Sequence, residues 1–189
     1  TLLVVPLNTP GIQVRPIHTI DQWHHVNEVF LNDVRVPVAN RLGVEGEGWK
    51  CAKFLLDRER LSPATVPRLA RQLDQVAEMI QARIREQGLS PSLQAALQRL
   101  YQAEASAMGA REMLLSAIQE EMNGTLAASK SSALKLHCSE LSQEISSLAY
   151  DLTAQEYGPR LLPQPPAEDG SDERDPGRQL VHTYLFYRS

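Results

Sequence analysis

An apolar seam in the last third of the sequence restricts what this chain can fold into. Its members alternate steps of four and three: Leu134, Cys138, Leu141, Ile145, Leu148 and Leu152. This spacing places them on one face of an α-helix, at the a and d positions through which helices pack against each other. The seam therefore predicts a long helix that packs against other helices.

Two further long helices are predicted before the seam. The first has a stripe at helical spacing: Leu69, Leu73, Val76 and Ile80. It is expected to end at Gly88, a typical residue after a helix C-terminus. The second begins with Ser90 as N-cap and Pro91 as first helical residue, and closes at Asn123 and Gly124. Its predicted apolar face is Leu93, Leu97, Leu100, Ala107, Leu114, Ile118 and Met122. Three long helices in succession predict a mainly α fold, an up-and-down bundle.

The first forty residues have strand character instead. Short apolar runs lie at residues 2–5, 12–14, 26–31 and 34–36, and predicted turns at Pro10-Gly11 and Asn32-Asp33 separate them. Pro37 must end the fourth strand or lie at a sheet edge. We expect four such short strands to complete a sheet whose other half lies outside this chain.

The change from strand to helix follows three glycines that allow the backbone a positive φ: Gly43, Gly46 and Gly48. Their order is not that of a nucleotide-binding loop, and Glu45 and Glu47 would repel a phosphate. A helical stripe begins at Trp49, and Ser62-Pro63 is typical of a break or restart.

Composition excludes several classes of function. The net charge is −4, with both signs interspersed, so no nucleic-acid-binding patch is predicted. No apolar run has membrane-spanning length, and a soluble, intracellular, cytoplasmic protein is the expectation. Cys51 and Cys138 are expected to be buried free thiols. His24 and His25 are adjacent on a strand and therefore face opposite ways, so no metal site is predicted there.

Residues 10–61 contain motifs whose order and spacing resemble the acyl-CoA dehydrogenase family. The matching pieces are Asn27-Glu28-Val29-Phe30, Asp33-Val34-Arg35-Val36-Pro37, Asn40-Arg41-x-Gly43, Gly46-x-Gly48-Trp49 and Glu59-Arg60. The resemblance implies that residues 1–46 are the end of the family's middle β-domain. Residues 47–189 would be most of its C-terminal helical domain, with the chain being the C-terminal part of a longer protein.

The end of the chain extends this resemblance. Prolines, glycines and mixed charges predict a long loop at about 159–177, which is most similar to the branch that includes pimeloyl-CoA dehydrogenase large subunits. Residues 179–189 are apolar and aromatic and predict the start of a fourth helix. Tyr184-x-x-Tyr187-Arg188-Ser189 is similar to the segment that leads into a flavin-contacting motif in the family.

The resemblance implies an enzyme that oxidises an acyl-CoA thioester between its α and β carbons. A carboxylate takes the α proton, FAD accepts the hydride, and electron-transfer flavoprotein removes the electrons. The family forms dimers or tetramers through its helical domain, so a homo-oligomer or a heteromer with a related subunit is expected. The alternative is a non-catalytic helical module that serves assembly, or a silent partner subunit.

The catalytic base is assigned from the same resemblance. Residues 56–61 match a Leu-x-x-Glu-Arg-Leu setting, in which Glu59 is the base and Arg60 lies in the substrate cleft. Other members of the family place the base after the last helix. From the residues alone, Arg58-Glu59-Arg60 is a solvated helix face.

Four residues are similar to family positions that contact FAD: Arg85, Gln94, Gln155 and Gly158. The sequence departs from the family here, because the aromatic between Arg85 and Gly88 is missing and Pro159 replaces a glycine. These departures favour the assembly alternative, whereas the intact setting of Glu59 favours the enzyme. Arg85 also has a structural interpretation, as a cation that complements a helix C-terminus.

Overall fold

The computed structural model describes residues 1–59, 65–157 and 176–187. Its strands are β1 (Leu2–Leu3), β2 (Ile12–His18), β3 (His24–Leu31) and β4 (Arg41–Leu42). Its helices are α1 (Gly48–Glu59), α2 (Thr65–Gln87), α3 (Pro91–Met122), α4 (Ala128–Tyr157) and α5 (Pro176–Phe186). The predicted mainly α fold preceded by a few strands is confirmed, and α5 is the predicted fourth helix.

The core lies where α2, α3 and α4 pack against one another, and α5 packs against α4. Every member of the predicted stripe on α2 and of the seam on α4 is buried. The polar residues between them remain largely exposed. Burial of one apolar face per helix accounts for the up-and-down arrangement.

The buried face of α3 differs in part from the predicted one. Leu93, Leu100 and Leu114 are buried as expected, but Met122 is 83% exposed at the end of the helix. Small side chains complete the face instead: Ala96, Ala103, Ala110 and Ala117. Alanine removes little area from water, so its pattern is a weak signal in the sequence, yet it lets neighbouring helices approach closely.

The predicted helix ends are confirmed. Gly88 follows α2 with a φ of +76°, and its N–H donates to the carbonyl of Ile84 at 3.0 Å. Ser90 caps α3, since its hydroxyl oxygen accepts from the N–H of Leu93 at 3.3 Å. Asn123 ends that helix by donating its N–H to the carbonyl of Gln119. The predicted break near residue 62 and most of the loop at 159–177 lie outside the described residues.

The four strands form two separate antiparallel pairs rather than one sheet. β2 and β3 make a hairpin with a bulge near His18, and β1 pairs with β4. The prediction of a fourth strand at residues 34–36 is wrong, because that segment leads through Pro37 into a 3-10 helix (Val38–Asn40). Asn40 then holds Val4 by two hydrogen bonds of 2.9 Å, which brings Arg41–Leu42 beside β1.

The hairpin leaves its large apolar residues exposed: Val14, Ile17, Val26, Val29, Phe30 and Leu31. That these strands complete a larger sheet stays a prediction. Both cysteines are free as predicted, with Cys138 buried and Cys51 only half-buried. Among the described helices, none combines the length and apolar character that crossing a membrane requires.

Candidate functional site

A cavity of ≈ 500 Å³ lies between the C-terminal end of α1, the start of α2 and the adjoining parts of α3 and α4. The described residues that line it are Leu56, Glu59, Thr65, Val66, Arg68, Leu114, Leu134, Lys135, Cys138, Ser139, Ser142 and Tyr187. They come from five separate segments, so only the packing of the bundle brings them together. Glu59, the predicted catalytic base, is one of them.

Glu59 is the last residue of α1, and its exposed side chain lines this cavity. Apolar groups form part of the facing wall, with Val66, Leu114 and Leu134 all buried. A carboxylate beside an apolar wall is the arrangement that a general base needs, because the substrate carbon must approach it away from water. Arg60, the predicted cleft residue, lies outside the described residues.

The hydroxyl of Ser142 is the polar feature of the cavity wall that sequence reasoning missed. The residue is 1% exposed, and its Oγ has no hydrogen-bond partner among the described residues. A buried hydroxyl normally finds a partner, so an unpaired one that lines a cavity suits a polar ligand. Ser142 lies beside the predicted seam on α4, and it differs from the other buried serines of that helix, Ser131 and Ser146, because their hydroxyls donate to backbone carbonyls.

Basic and aromatic side chains surround the same cavity. Lys135 and Arg68 contribute positive charge, and the guanidinium of Arg68 lies 5.9 Å from the ring centre of Tyr187. The hydroxyl of Tyr187 accepts from Gln72 Nε2 at 3.4 Å, which ties the end of α5 to α2. These groups favour an anionic ligand near Glu59.

Cys138 lines the cavity but is not suited to nucleophilic chemistry. Burial raises the pKa of its thiol above the ordinary value, although the charge of Arg68 acts in the opposite direction. A thiol with a raised pKa stays protonated at neutral pH, and only the thiolate is a strong nucleophile. Cys138 therefore serves packing.

Two of the predicted cofactor residues, Arg85 and Gln94, lie at the other end of the bundle. Arg85 is in the last turn of α2 and is exposed, and Gln94 is exposed near the start of α3. At about 1.5 Å per residue, α2 separates Arg85 from the cavity residue Val66 by roughly 30 Å. Gln155 is in the last turn of α4, which ends at that same end, but its side chain and Gly158 lie outside the described residues. One copy of the chain therefore does not bring Glu59 together with Arg85 and Gln94.

Two further features mark this second end. Gln94 lines a shallow groove along α3 together with Leu97, Gln98, Tyr101, Gln102 and Ala105. Nearby, Arg99 on α3 bridges to Glu144 and Asp151 on α4, each at 2.8 Å. Burial lowers the pKa of Arg99, but hydrogen bonds to the two carboxylates outweigh burial and raise it overall.

Comparison with known proteins shows what the chain is similar to. Residues 46–156 match the family model "Acyl-CoA dehydrogenase, C-terminal domain". "Acyl-CoA dehydrogenase FadE34" of Mycobacterium tuberculosis is 34% identical over 80 residues, covering 42% of this chain and 11% of that protein. "Acyl-CoA dehydrogenase FadE29" of the same organism is 37% identical over 76 residues, covering 40% of this chain and 20% of that protein.

Solved structures share the fold over almost the whole chain. The "Tcur3481-Tcur3483 steroid ACAD" has a TM-score of 0.74 at 21% identity, covering 98% of this chain and 45% of that one. The ChsE4-ChsE5 complex from Mycobacterium tuberculosis gives 0.66 at 23%, with coverages of 98% and 45%. An "FAD-dependent dehydrogenase" gives 0.70 at 22%, with coverages of 98% and 48%. The chain thus spans less than half the length of these proteins.

Proposed function

This chain belongs to the acyl-CoA dehydrogenase family, and from that premise we propose that the protein carrying it oxidises an acyl-CoA thioester between its α and β carbons. FAD is the cofactor that membership of this family implies. Residues 1–46 would then be the end of a middle β-domain, and residues 47–189 the larger part of the C-terminal helical domain.

The observation that carries the proposal is the position of Glu59 on the rim of a cavity with a partly apolar wall. Glu59 takes the α proton of the acyl group, and Arg60 lies in the substrate cleft. The orphaned hydroxyl of Ser142 is available to donate a hydrogen bond to the bound substrate. Lys135 and Arg68 add positive charge that favours the anionic phosphates of the CoA moiety near the opening.

The cofactor supplies an acceptor for the hydride that leaves the β carbon. The chain's own residues for it are Arg85, Gln94, Gln155 and Gly158. Arg85 and Gln94 fit this role in that both side chains are exposed, and a guanidinium and an amide donate well to phosphate oxygens. Because they lie at the far end of the bundle from Glu59, we assign them to the FAD of a neighbouring subunit.

An oligomer follows from this assignment. If the two ends of one bundle serve different active sites, the protein must form an oligomer. This oligomer is a homodimer, a homotetramer or a heteromer with a related subunit. The match to a structure described as the ChsE4-ChsE5 complex supports an assembly of this kind. Electron-transfer flavoprotein is the proposed electron acceptor, and a role in fatty acid oxidation in the cytoplasm completes the proposal.

The test uses the protein at its natural length, purified with its flavin and titrated with a series of acyl-CoA thioesters without oxygen. Reduction bleaches the flavin absorbance. In Glu59→Gln, we expect the flavin to be retained and the rate of bleaching to fall by roughly a hundredfold or more, as for loss of a general base. The matched control is Glu78→Gln, an exposed carboxylate in the middle of α2, which should bleach at the unaltered rate.

The second candidate function is an assembly module or a silent partner subunit. It is favoured by the departures around Arg85 and Pro159, and by exposed apolar residues of α1, where Trp49 is 70% exposed and Leu55 66%. Bleaching that survives in Glu59→Gln would place the base elsewhere. An unaltered protein that contains no flavin would instead support the assembly function.

A further inference from the structure

We propose that Asp21, His25 and His182 form a binding site for one divalent transition-metal ion of the Zn²⁺ class, which fastens α5 to the β2–β3 hairpin. Asp21 lies in the turn between the two strands, His25 near the start of β3, and His182 on α5. Neither this site nor its test depends on the proposed dehydrogenase activity.

The three ligand atoms converge on one point. Oδ2 of Asp21 lies 2.7 Å from Nε2 of His25 and 3.1 Å from Nε2 of His182. The two Nε2 atoms lie 3.3 Å from each other. A tetrahedral ion with ligand bonds of about 2.0–2.1 Å separates its ligand atoms by roughly 3.3 Å. The side between the two imidazoles already has this length, and the shortest side, of 2.7 Å, would need to open by about 0.6 Å.

The carboxylate is held in position for this role. Asp21 is 1% exposed, and its second oxygen, Oδ1, accepts a hydrogen bond from the Thr19 hydroxyl and one of 3.1 Å from the Trp23 N–H. These bonds leave Oδ2 directed at the two imidazoles. Metal-binding carboxylates are commonly oriented by hydrogen bonds of this kind.

The crowding of the two imidazoles favours a metal over a purely hydrogen-bonded cluster. Both Nε2 atoms face the same carboxylate oxygen at 3.3 Å from each other. If both carried a proton in order to donate to Asp21, the two N–H groups would also face each other. An ion at the centre would instead accept a lone pair from each nitrogen and from the oxygen.

The surroundings leave one position of the ion open to solvent or to an exchangeable ligand. The His25 and His182 side chains are 26% and 23% exposed, whereas the Asp21 side chain is fully buried. The Trp23 ring lies 4.2 Å from the His182 ring, and the Phe186 ring lies 5.0 Å from the His25 ring. Two imidazoles with a carboxylate suit Zn²⁺ and Co²⁺.

The experiment titrates chelator-treated protein at its natural length with Zn²⁺ by calorimetry and with Co²⁺ by visible absorption. We expect one ion per chain and a Co²⁺ spectrum of tetrahedral type. His25→Gln and His182→Gln should each weaken binding at least a hundredfold. Thr19→Val removes the hydroxyl that orients Asp21 and also contacts the Trp23 carbonyl at 3.1 Å, and should weaken binding by roughly tenfold to a hundredfold.

The matched control is His24→Gln. This histidine neighbours His25 in the sequence, but its Nε2 bonds to Asn27 Oδ1 at 2.7 Å and takes no part in the cluster. The His24→Gln variant should bind Zn²⁺ as tightly as the unaltered protein does. Zn²⁺ should also slow hydrogen exchange in α5, for example at the Tyr187 N–H that donates to Thr183, and should not do so in His182→Gln.

A measurement on the unaltered protein also tests the proposal, so the test does not depend on whether the variants fold. X-ray absorption of the Zn²⁺-loaded protein should show two imidazole nitrogens and oxygen. Absence of Zn²⁺ binding, sulfur ligation from a cysteine, or equal loss of binding in His24→Gln would each overturn it.

Discussion

The helical bundle of residues 65–157 and the strand region of residues 1–47 are stabilised in different ways. The helices α2, α3 and α4 bury a continuous apolar core, whereas Asp21, an acidic residue, has the only buried side chain among residues 1–47. A two-stranded hairpin with both faces exposed is marginally stable alone. The bundle therefore carries its own stability, and the hairpin depends on turn geometry, on its own hydrogen bonds and on what covers it.

The largest expected effect is on the bundle core. Ile80 is fully buried, and Ile80→Ala should lower the free energy of unfolding by about 2–5 kcal/mol through lost burial and the cavity left behind. Val29→Ala on the hairpin, where the side chain is 54% exposed, should cost no more than about 0.5 kcal/mol. Urea denaturation measures both, and equal losses would contradict the comparison.

The second-largest effect is expected from a substitution at Gly11, where the hairpin backbone has an unusual conformation. Gly11 has a φ of +93°, and a Cβ there would lie 2.1 Å from the carbonyl oxygen of Asn32. Gly11→Ala should cost about 1–3 kcal/mol of local stability through backbone strain. Faster hydrogen exchange is expected in β2 and β3 but not in α2–α4.

The matched glycine lies in the bundle. Gly109 is inside α3, and a Cβ there would meet nothing within 4 Å. Gly109→Ala should therefore raise the stability of the bundle by up to about 1 kcal/mol, because alanine favours the helix. The comparison would be contradicted if Gly11→Ala also showed faster hydrogen exchange throughout the bundle, because the hairpin and the bundle would then unfold together.

The ion pairs on the bundle surface should have a smaller effect. Arg99→Met removes two contacts of 2.8 Å between α3 and α4 and should cost about 1 kcal/mol, with a larger loss at low salt. Arg111→Met is the control, since Arg111 lies 3.9 Å from Glu112 and is largely exposed. Thermal unfolding at two salt concentrations distinguishes them, and identical shifts would show that the network adds nothing.

The smallest expected effect is a pH dependence of the α3–α4 connection. A hydrogen bond from Lys130 lowers the pKa of Glu120 below its ordinary 4.5. Because the pKa of Glu120 is lower in the folded state, its ionised carboxylate stabilises the fold above pH 4.5. This stabilisation is lost as the pH falls through the folded-state pKa. Lys130→Met should lose the dependence below pH 4.5, as followed by unfolding from pH 6 to pH 3. An unchanged profile in the variant would contradict this cause.

Much of the bundle was predictable because its signals are local. The steps of four and three on α4 and the stripe on α2 depend only on helix geometry, and all their members are buried. The N-cap at Ser90 and the stop at Gly88 follow from backbone groups within a few residues. The alanines of α3 were missed because a small apolar side chain differs little from its neighbours in any sequence pattern.

The candidate site was predictable only in part. The resemblance identified Glu59, and the structure adds the cavity beside it. Ser142 could not be selected, because serines occur along the whole of α4, and this one differs from the buried Ser131 and Ser146 only in that its hydroxyl has no partner among the described residues. The roles assigned to all the predicted site residues stay predictions, and Arg60, Gly158 and the side chain of Gln155 also lie outside the described parts of the chain.

The sequence by itself determined the long helices, the ends at Gly88, Ser90 and Asn123, the buried faces of α2 and α4 and, through its motifs, the family. Only the tertiary structure decided that Arg41–Leu42 pairs with β1, that Glu59 and Arg85 lie at opposite ends of the bundle, and that His182 meets Asp21 and His25. The physical reason is the distance along the sequence over which each interaction acts. Helix periodicity and capping act over a few residues, whereas these contacts join positions up to 161 residues apart (Asp21 to His182) and depend on how whole elements pack.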